Sequence, residues 1–271
     1  MMAKKYFFLI LLALNCSLVF SQVAICSWNL MNFGKSKSDS ELDFVANTIN
    51  KYDVIAIQEV VAGNGGAQAV ARLVKILENK GFHWDYTISD PTTSANHSSI
   101  ERYAFVWKTS KVKKIGRSWL DANYANEIDR EPYLSTFDYQ GKQFTIVTFH
   151  AVPKKKNPES ELKYFKLFPG VYPKLNLIFM GDFNCPQSNE VFSPLKKMGY
   201  KSSLVNQKTS LRQKCIQNDC LASEYDTMFF NPLKMNATQS GIIPFYESFE
   251  TLKEARKISD HAPIWGIFDL K

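Results

Sequence analysis

The sequence predicts an α/β layered sandwich, in which β-sheets pack face to face and helices cover their outer surfaces. Seven short apolar runs are rich in β-branched and aromatic residues, as is typical of strands. Only three segments place apolar residues at helical spacing. No internal repeat, low-complexity block or Pro/Gly/Ser linker divides the 271 residues, so we expect one domain.

The predicted elements follow from these patterns in chain order. The predicted strands are 23–33, 53–60, 102–108, 143–152, 175–183, 224–230 and 261–268. The predicted helices are 40–51, 67–80 and 189–198. Gly81 and Gly199 follow the second and third helices, where glycine commonly ends a helix. Many strands with few helices favour sheets packed against each other with the helices outside.

The first 21 residues differ in composition from the rest of the chain. Lys4 and Lys5 precede an apolar stretch over 6–20, which is short for a membrane span, and the small residue Ser21 follows. This pattern predicts a signal peptide over 1–21, cleaved near Ser21, and a mature domain over 22–271. We therefore expect a secreted or extracytoplasmic protein, periplasmic in a bacterium, monomeric and without stable membrane association. An N-terminal membrane anchor is the alternative.

The charge and the cysteines restrict the function further. Cleavage would remove Lys4 and Lys5 and reduce the net charge from +7 to +5. A basic surface favours polyanions such as nucleic acid, although it also serves solubility. Four cysteines follow the signal peptide and allow three full pairings: Cys26, Cys185, Cys215 and Cys220. We favour the pair Cys215–Cys220, which brackets a short polar loop, and expect Cys26 to be a buried free thiol.

Polar residues are concentrated at the ends of the predicted strands. They are Asn29, Glu59, His150, Asp182, Asn184, Asp226, Asp260 and His261. Since strand ends meet along the edge of a sheet, these side chains are expected to converge on one rim. Taken singly, each also fits a turn, a cap or a core position. Two of the chain's four histidines are among them, and this coincidence favours a functional site.

The residue types indicate the chemistry. Oxygen ligands are offered by Glu59, Asp182, Asp260, Asn29 and Asn184. Such ligands suit Mg²⁺ or Mn²⁺, and also Ca²⁺, rather than zinc. Mg²⁺ is often shared between carboxylates and a substrate phosphate, which predicts phosphoryl chemistry. His150 and His261 can act as general acid or base near neutral pH, with Glu101 and Asp226 as available carboxylates to orient them.

Several motifs resemble those of the endonuclease/exonuclease/phosphatase superfamily. WNLMNFG (28–34), IQEV (57–60), GDFN (181–184) and SDHAPI (259–264) occur in that family's order and span almost the whole mature chain. The segments ERY (101–103), REP (130–132) and FHAVP (149–153) resemble the DNase I-like branch. The resemblance implies a four-layered α/β sandwich, with two packed mixed β-sheets flanked by helices. It also implies a metal-dependent phosphodiesterase that acts as a nonspecific DNA endonuclease.

The resemblance also implies a role for each residue. His150 would be the general acid, oriented by Glu101, and His261 the base or a phosphate ligand, oriented by Asp226. The remaining roles concern the cation and the substrate. Glu59, Asn29 and Asp260 would hold one divalent cation. Asp182 and Asn184 would contact the scissile phosphate or a second cation, and Asn29 would also lie near the phosphate. Arg130 would bind a phosphate oxygen through its rigid fork of donors.

The chain departs from DNase I-type enzymes at two positions. Val61 and Ser99 stand where those enzymes carry an arginine and a tyrosine, so the docking of DNA is expected to differ. The lysines at 154–156 are candidates to bind DNA phosphates in their place.

Two alternative functions remain. One is a phosphodiesterase for lipid head groups, of the sphingomyelinase or phosphoinositide phosphatase type, with an aromatic loop at Phe165, Phe168 and Tyr172. The other is a catalytically inactive nucleic-acid-binding relative.

Overall fold

Two mixed six-stranded sheets form the centre of the computed structural model, which describes residues 22–94 and 96–271. The predicted signal peptide, 1–21, lies outside the described residues. The strands are β1 Gln22–Phe33, β2 Val54–Val61, β3 Trp84–Ile88, β4 Glu101–Lys108, β5 Lys113–Leu120, β6 Tyr133–Tyr139, β7 Lys142–His150, β8 Leu177–Asp182, β9 Lys201–Ser202, β10 Leu211–Ile216, β11 Asp219–Leu221, β12 Asp226–Phe230, β13 Met235–Ile242 and β14 Ile264–Leu270.

The two large sheets have related topologies. The first sheet has the order β13-β14-β1-β2-β4-β3, and the second has the order β5-β6-β7-β8-β12-β9. Each sheet contains one parallel pair, β1 with β2 and β7 with β8, and its other pairs are antiparallel. Strands β10 and β11 form a separate hairpin. The central parallel pairs carry Asn29, Glu59, His150 and Asp182, so the middle of both sheets supplies the candidate site.

Helices cover the outer face of each sheet. The α-helices are α1 Asp39–Ile49, α2 Asn64–Glu78, α3 Glu159–Leu162, α4 Phe168–Val171, α5 Ser193–Lys197 and α6 Leu252–Ile258. Helices α1, α2 and α6 pack on the first sheet, and α3, α4 and α5 pack on the second. The predicted four-layered α/β sandwich is therefore confirmed.

Alternation along the strands separates three hydrophobic layers. In β1, Val23 and Ile25 face the second sheet, whereas Cys26 and Trp28 face the helices of the first layer. The layer between the sheets is rich in stacked and edge-on aromatic rings, such as Phe105 on Tyr133. Since successive side chains of a strand point to opposite faces, the same rule decides which polar residues meet between the sheets.

Some elements differ from the sequence-based expectation. The third predicted helix, 189–198, is instead a 3-10 turn over Glu190–Phe192 followed by α5. Pro194 lies in the first turn of α5, and because proline has no N–H to donate to the preceding turn, the helix starts afresh there. Seven strands were not predicted: β3, β5, β6, β9, β10, β11 and β13. Of these, β3 and β13 lie at sheet edges and carry mostly exposed or half-exposed side chains, whereas β6 is buried between β5 and β7 and was missed despite its burial.

The predicted Cys215–Cys220 disulfide is present and closes the β10–β11 hairpin. Cys26 is a buried free thiol, as expected, and so is Cys185. Burial raises the pKa of the Cys185 thiol to about 12, so it stays protonated near neutral pH. No helix within 22–94 or 96–271 is long and apolar enough to cross a membrane.

Gly181 of β8 lies in close backbone contact with Phe149 of β7, and a substitution there tests whether this contact limits stability. Its backbone is in the left-handed region at φ +133°, and a Cβ there would lie 2.1 Å from the carbonyl oxygen of Phe149. We expect Gly181→Ala to lower the free energy of unfolding by about 3 kcal/mol, because overpacking and backbone strain each cost about 1–3 kcal/mol. Urea denaturation followed by circular dichroism measures this loss.

Gly170→Ala is the matched control, since a Cβ at Gly170 meets no atom within 4 Å. We expect this variant to unfold within about 1 kcal/mol of the wild type. Equal losses at the two glycines would show that the close approach of Gly181 to Phe149 does not limit stability.

Candidate active site

The ends of several strands bring the predicted polar residues to one rim of the sandwich, between the two sheets. His150 ends β7 on the face that carries Ile146, and Asp182 ends β8 on the face that carries Met180. Glu101 and Asp226 begin β4 and β12 on the same inter-sheet face. Because the apolar members of these strands form the inter-sheet core, their polar ends are directed into the same space.

His150 lies between Glu101 and the rim. Its Nδ1 is 3.0 Å from both carboxylate oxygens of Glu101. Burial and the Arg130 guanidinium oppose protonation of the ring, but Glu101 and Asp182 outweigh them and raise the pKa of His150. Burial disfavours the charged form of Glu101, yet His150, Arg130 and the backbone amide of Glu59 together lower the Glu101 pKa. An ionised Glu101 accepts a hydrogen bond from Nδ1–H and leaves Nε2 directed toward the pocket.

His261 has an equivalent arrangement on the other side of the site. Its Nδ1 is 2.7 Å from Asp226 Oδ2, and the same oxygen accepts a hydrogen bond from the hydroxyl of Thr209 at 2.6 Å. Burial opposes protonation of His261, but Asp226 and Asp182 outweigh it and raise its pKa well above the ordinary value. Because Asp226 accepts from Nδ1–H, Nε2 is again the nitrogen directed toward Asp182.

Asp182 is the point at which the two histidines meet. Its Oδ2 lies 3.5 Å from His150 Nε2, 3.4 Å from His261 Nε2 and 3.2 Å from the Nδ2 of Asn29, which donates to it. Burial raises the pKa of Asp182, and the negative charge of Asp226 raises it further. The positive charge of His261 opposes both effects but does not outweigh them, so the pKa of Asp182 lies above its ordinary value. Any positive charge bound at this carboxylate would favour its ionised form.

Asn29 and Glu59 are linked to Asp182 through one amide group. Asn29 Nδ2 also donates to Glu59 Oε1 at 2.9 Å, while Asn29 Oδ1 accepts from the backbone N–H of Met31 at 3.0 Å. The second oxygen of Glu59 accepts from the N–H of Asn32 at 2.9 Å. The amide nitrogen of Asn29, rather than its oxygen, therefore faces the two carboxylates.

Backbone strain is concentrated around these groups. Met31, Asn32, Glu59 and Asn184 have φ values of +38°, +54°, +59° and +48°, in the left-handed region that side-chain-bearing residues rarely adopt. The register of β1 with β2 shifts between Asn29 and Phe33. Such strain typically costs about 1–3 kcal/mol per residue and persists where the surrounding structure enforces it, often at functional sites.

These residues surround a cavity of about 640 Å³. Its lining includes Glu59, Glu101, Arg130, His150, Asp182, Asn184, Asp260 and His261, together with Val61, Ser99 and Lys156. Asn29 and Asp226 are behind the lining, at 0% and 4% exposure. Val61 and Ser99 thus occupy the rim with small uncharged side chains, and Lys156 is the member of the 154–156 run that lines the cavity.

Three of the predicted residues are already engaged by protein groups. Arg130 donates to Glu101 Oε2 at 3.0 Å and to the carbonyl oxygen of Ala151, but its buried Nε has no partner among the described residues. Asn184 donates from its amide to the same carbonyl at 3.0 Å, and Asp260 pairs with Arg256 at 3.3 Å. All three line the cavity, so they remain within reach of a bound molecule.

The donor set fits a divalent cation that prefers oxygen. Carboxylates of Glu59, Asp182 and Asp260 line one cavity. A second group, Asp182, Asp226 and His261, offers ligand atoms within 4.8 Å of one another. In that group Asp226 Oδ2 is already bonded to Thr209 and His261. The cavity-facing carboxylates therefore fit Mg²⁺, Mn²⁺ or Ca²⁺ better, because such ions favour carboxylate and water oxygens.

Sequence reasoning missed residues that fix the site from behind. Thr209 holds Asp226, the Tyr103 hydroxyl accepts from the backbone N–H of His150, and the Ser259 hydroxyl donates to the carbonyl oxygen of Asn29. Ser259 also accepts from the N–H of His261 at 2.9 Å. Ser259 adjoins the SDH motif and could have been noticed, whereas Thr209 lies in a polar loop with no distinguishing pattern.

The sequence model of the Endonuclease/Exonuclease/phosphatase family matches residues 26–261. The chain belongs to the endonuclease/exonuclease/phosphatase family. Its relatives assign it to the DNase I-like branch of this family, as the motifs predicted. Enzymes of the family depend on divalent metal ions, which agrees with the oxygen-rich cavity.

The relatives of this family member are named deoxyribonucleases. One, from Thioalkalivibrio sp. (strain K90mix), is 23% identical over 99% of this chain and 77% of its own length. Human deoxyribonuclease gamma is 28% identical over 65% of this chain and 60% of its own length. The rat protein of that name is 24% identical over 94% of this chain and 86% of its own length. These similarities support a phosphodiester hydrolase.

Solved structures of the family share the fold. A Bacteroides thetaiotaomicron family member superposes with a TM-score of 0.67 at 16% identity, covering 92% of this chain and 98% of its own. The human Nocturnin catalytic domain gives 0.65 at 16% identity, covering 92% and 94%. D. rerio TDP2 with a single-stranded DNA product gives 0.64 at 14% identity, covering 92% and 99%. At these identities the likeness shows the fold alone.

Thr209 offers a test of how the Asp226–His261 pair is held. The hydroxyl of Thr209 donates to Asp226 Oδ2 and accepts from the backbone N–H groups of Tyr225 and Asp226. We expect Thr209→Val to lower the free energy of unfolding by about 2 kcal/mol, because it leaves buried polar groups without partners. Urea denaturation measures the difference.

Thr238→Val is the control for the same change at an exposed site, where the hydroxyl donates only to the carbonyl oxygen of Ile267 at 3.2 Å. We expect a change within about 0.5 kcal/mol there. If Thr209→Val were as mild as Thr238→Val, the Thr209 hydroxyl would not be a significant support of Asp226.

Proposed function

We propose that this protein is a secreted, divalent-metal-dependent endonuclease that hydrolyses DNA phosphodiester bonds without sequence specificity. One observation carries the proposal: two histidines, each backed by a buried carboxylate, direct their free Nε2 atoms to within 3.5 Å of one oxygen of Asp182. Such an arrangement supplies an acid and a base to the two sides of a single reacting group.

In the proposed reaction, His150 gives a proton to the leaving oxygen, and His261 takes one from the attacking water when its ring is neutral. Positive charge held at Asp182 would favour that neutral ring by opposing the raised pKa of His261. The new bond joins the water oxygen to phosphorus, and the bond from phosphorus to the leaving sugar oxygen breaks. Glu101 keeps the Nδ1 proton of His150 in place, and Asp226 does the same for His261. The raised pKa of His150 favours the protonated ring that a general acid requires.

We assign the cation to Glu59, Asp182 and Asp260, with Asn29 and Asn184 as neighbouring amides. When bound, Mg²⁺ or Mn²⁺ neutralises charge on the phosphate, and Ca²⁺ is a further candidate. Arg130 and Asn184 are assigned to the phosphate oxygens, because both line the cavity and present N–H donors. We also propose that the protein is a monomer without stable membrane association.

DNA is favoured as substrate over a lipid head group. The relatives carry the name deoxyribonuclease, and the mature chain is basic. The candidate lipid-binding aromatics are not exposed together: Phe165 and Phe168 are 1% and 0% exposed, and the Tyr172 hydroxyl accepts from Trp119 at 3.2 Å. A catalytically inactive relative would not need both histidine–carboxylate pairs.

The proposal is tested with supercoiled plasmid and the purified protein, in Mg²⁺ with Ca²⁺ or in EDTA. We expect metal-dependent nicking that progresses to fragments, and we expect His150→Ala to slow it at least about 100-fold, the usual contribution of a general acid. His83→Ala is the matched control at an exposed histidine outside the cavity and should cleave like the wild type.

Two results would contradict the proposal. A folded wild type that leaves DNA intact but releases choline phosphate from sphingomyelin vesicles would favour the lipid alternative. Binding of DNA without any turnover, unchanged in His150→Ala, would favour the inactive relative.

The proposed secretion rests on the segment 1–21 and has its own test. We expect the full chain, produced in a host that exports it, to be recovered outside the cytoplasm with Gln22 as its first residue. Leu11→Arg should block export, because a charge interrupts the apolar stretch that the export machinery recognises. N-terminal sequencing of the exported protein identifies its first residue. Exported protein that still begins at Met1 would contradict the proposed cleavage.

A further inference from the structure

A buried polar layer lies directly beneath the candidate active site, between the two sheets. The side-chain amide of Gln58 donates to the hydroxyl of Ser27 at 2.9 Å and to the hydroxyl of Thr148 at 2.7 Å. Gln58 and Thr148 are fully buried, and Ser27 is 2% exposed. Ser27 and Gln58 belong to the first sheet and Thr148 to the second, so this amide links the sheets across the core.

Each member of the layer precedes a residue of the site. Ser27 is two residues before Asn29, and Thr148 is two residues before His150, so each shares the inter-sheet face with that site residue. Gln58 is immediately before Glu59 and is paired with Asn29 in the parallel β1–β2 ladder. One amide therefore connects the backbone segments that carry Asn29, Glu59 and His150.

Glu59 is the site residue that most needs such support. The alternation of β2 directs Val54, Ala56 and Gln58 toward the second sheet, so a regular strand would turn Glu59 toward the helices. Instead its backbone has φ +59°, and it has no paired residue in β1 or β4, because both registers shift at this point. The left-handed conformation brings Glu59 Oε1 to 3.8 Å from His150 Nε2.

Packing alone does not explain why the buried position 58 carries a polar amide. Its neighbours on the same face, Val54 and Ala56, are apolar, and a buried amide stabilises the core less than a well-packed aliphatic chain would. Its Oε1 is buried and accepts no hydrogen bond from residues 22–94 or 96–271. An amide at this position costs solvation that an aliphatic side chain would not.

We propose that Gln58 is a positioning residue, which holds the strained Glu59 in the orientation that binds the divalent cation. This inference rests on the proposed function in so far as it takes the cation site to include Glu59. Gln58 acts through the fixed end of β2: its bonds to Ser27 and Thr148 anchor the last regular residue before the backbone turns at Glu59. The left-handed turn then directs the carboxylate toward Asn29 and the cavity.

The test measures binding of Mn²⁺ to the protein without DNA, by the loss of the free-ion signal in electron paramagnetic resonance. We expect Gln58→Leu, which keeps the volume but removes the amide, to weaken Mn²⁺ binding about 10-fold, the lower end of what outer supports of a metal site contribute. Thr148→Val should weaken it in the same direction. The double variant should bind Mn²⁺ no more weakly than Gln58→Leu, because both changes remove one interaction.

Thr145→Val is the matched control. Thr145 lies on the same strand as Thr148, is also fully buried, and shares a 2.8 Å hydroxyl hydrogen bond with Thr136 away from Gln58. It should lose stability to a similar degree and still bind Mn²⁺ like the wild type. Thermal unfolding of all variants separates stability from metal affinity, and Thr148→Val alone carries the test should Gln58→Leu fail to fold.

The outcomes separate this inference from the proposed function. Wild-type binding of Mn²⁺ by Gln58→Leu and Thr148→Val, with only a lower unfolding temperature, would overturn the positioning role, and so would equal weakening in Thr145→Val. A wild type that binds Mn²⁺ but leaves DNA uncut would contradict the endonuclease, while the comparison of variants would still decide on Gln58.

Discussion

The whole site depends on the alternation of side chains along strands whose inner faces are pressed together. In β1, β4, β7, β8 and β12 the residues that build the inter-sheet core occupy every second position, and the next positions on that face are polar. A slip of one residue in β7 would direct His150 toward the helices and Phe149 toward the cavity. The apolar core therefore fixes the register that the chemistry requires.

The polar rim is stable because each buried charge has a specific partner. Glu101 is placed between His150 and Arg130, and Asp226 between His261 and Thr209. Burial alone would favour the neutral forms of these histidines, yet the neighbouring carboxylates reverse its effect on both pKa values. The two pairs face a third carboxylate, Asp182, and this shared contact couples their charges.

The sequence predicted the layered fold and the charged residues that line the cavity, because short apolar runs and polar strand ends are local signals. His150 and Asp182 are examples, since each continues the alternation of its own strand. The position of Glu59 could not be derived in this way, because its strand breaks the alternation through a left-handed residue and a double register shift. Thr209 was missed for a different reason: its contact with Asp226 joins two segments through a loop that lacks periodicity.

Contacts between distant parts of the chain complete the site. The Ser259 hydroxyl donates to the carbonyl oxygen of Asn29 across 230 residues, and the Trp28 indole donates to the carbonyl oxygen of His261 across 233. Such long-range pairings form late, because the intervening chain must first be ordered. A ribosome-bound chain that has not yet released His261 holds only part of the acid–base pair. If the protein is the nuclease proposed above, the chain therefore gains its activity only when its synthesis is nearly complete.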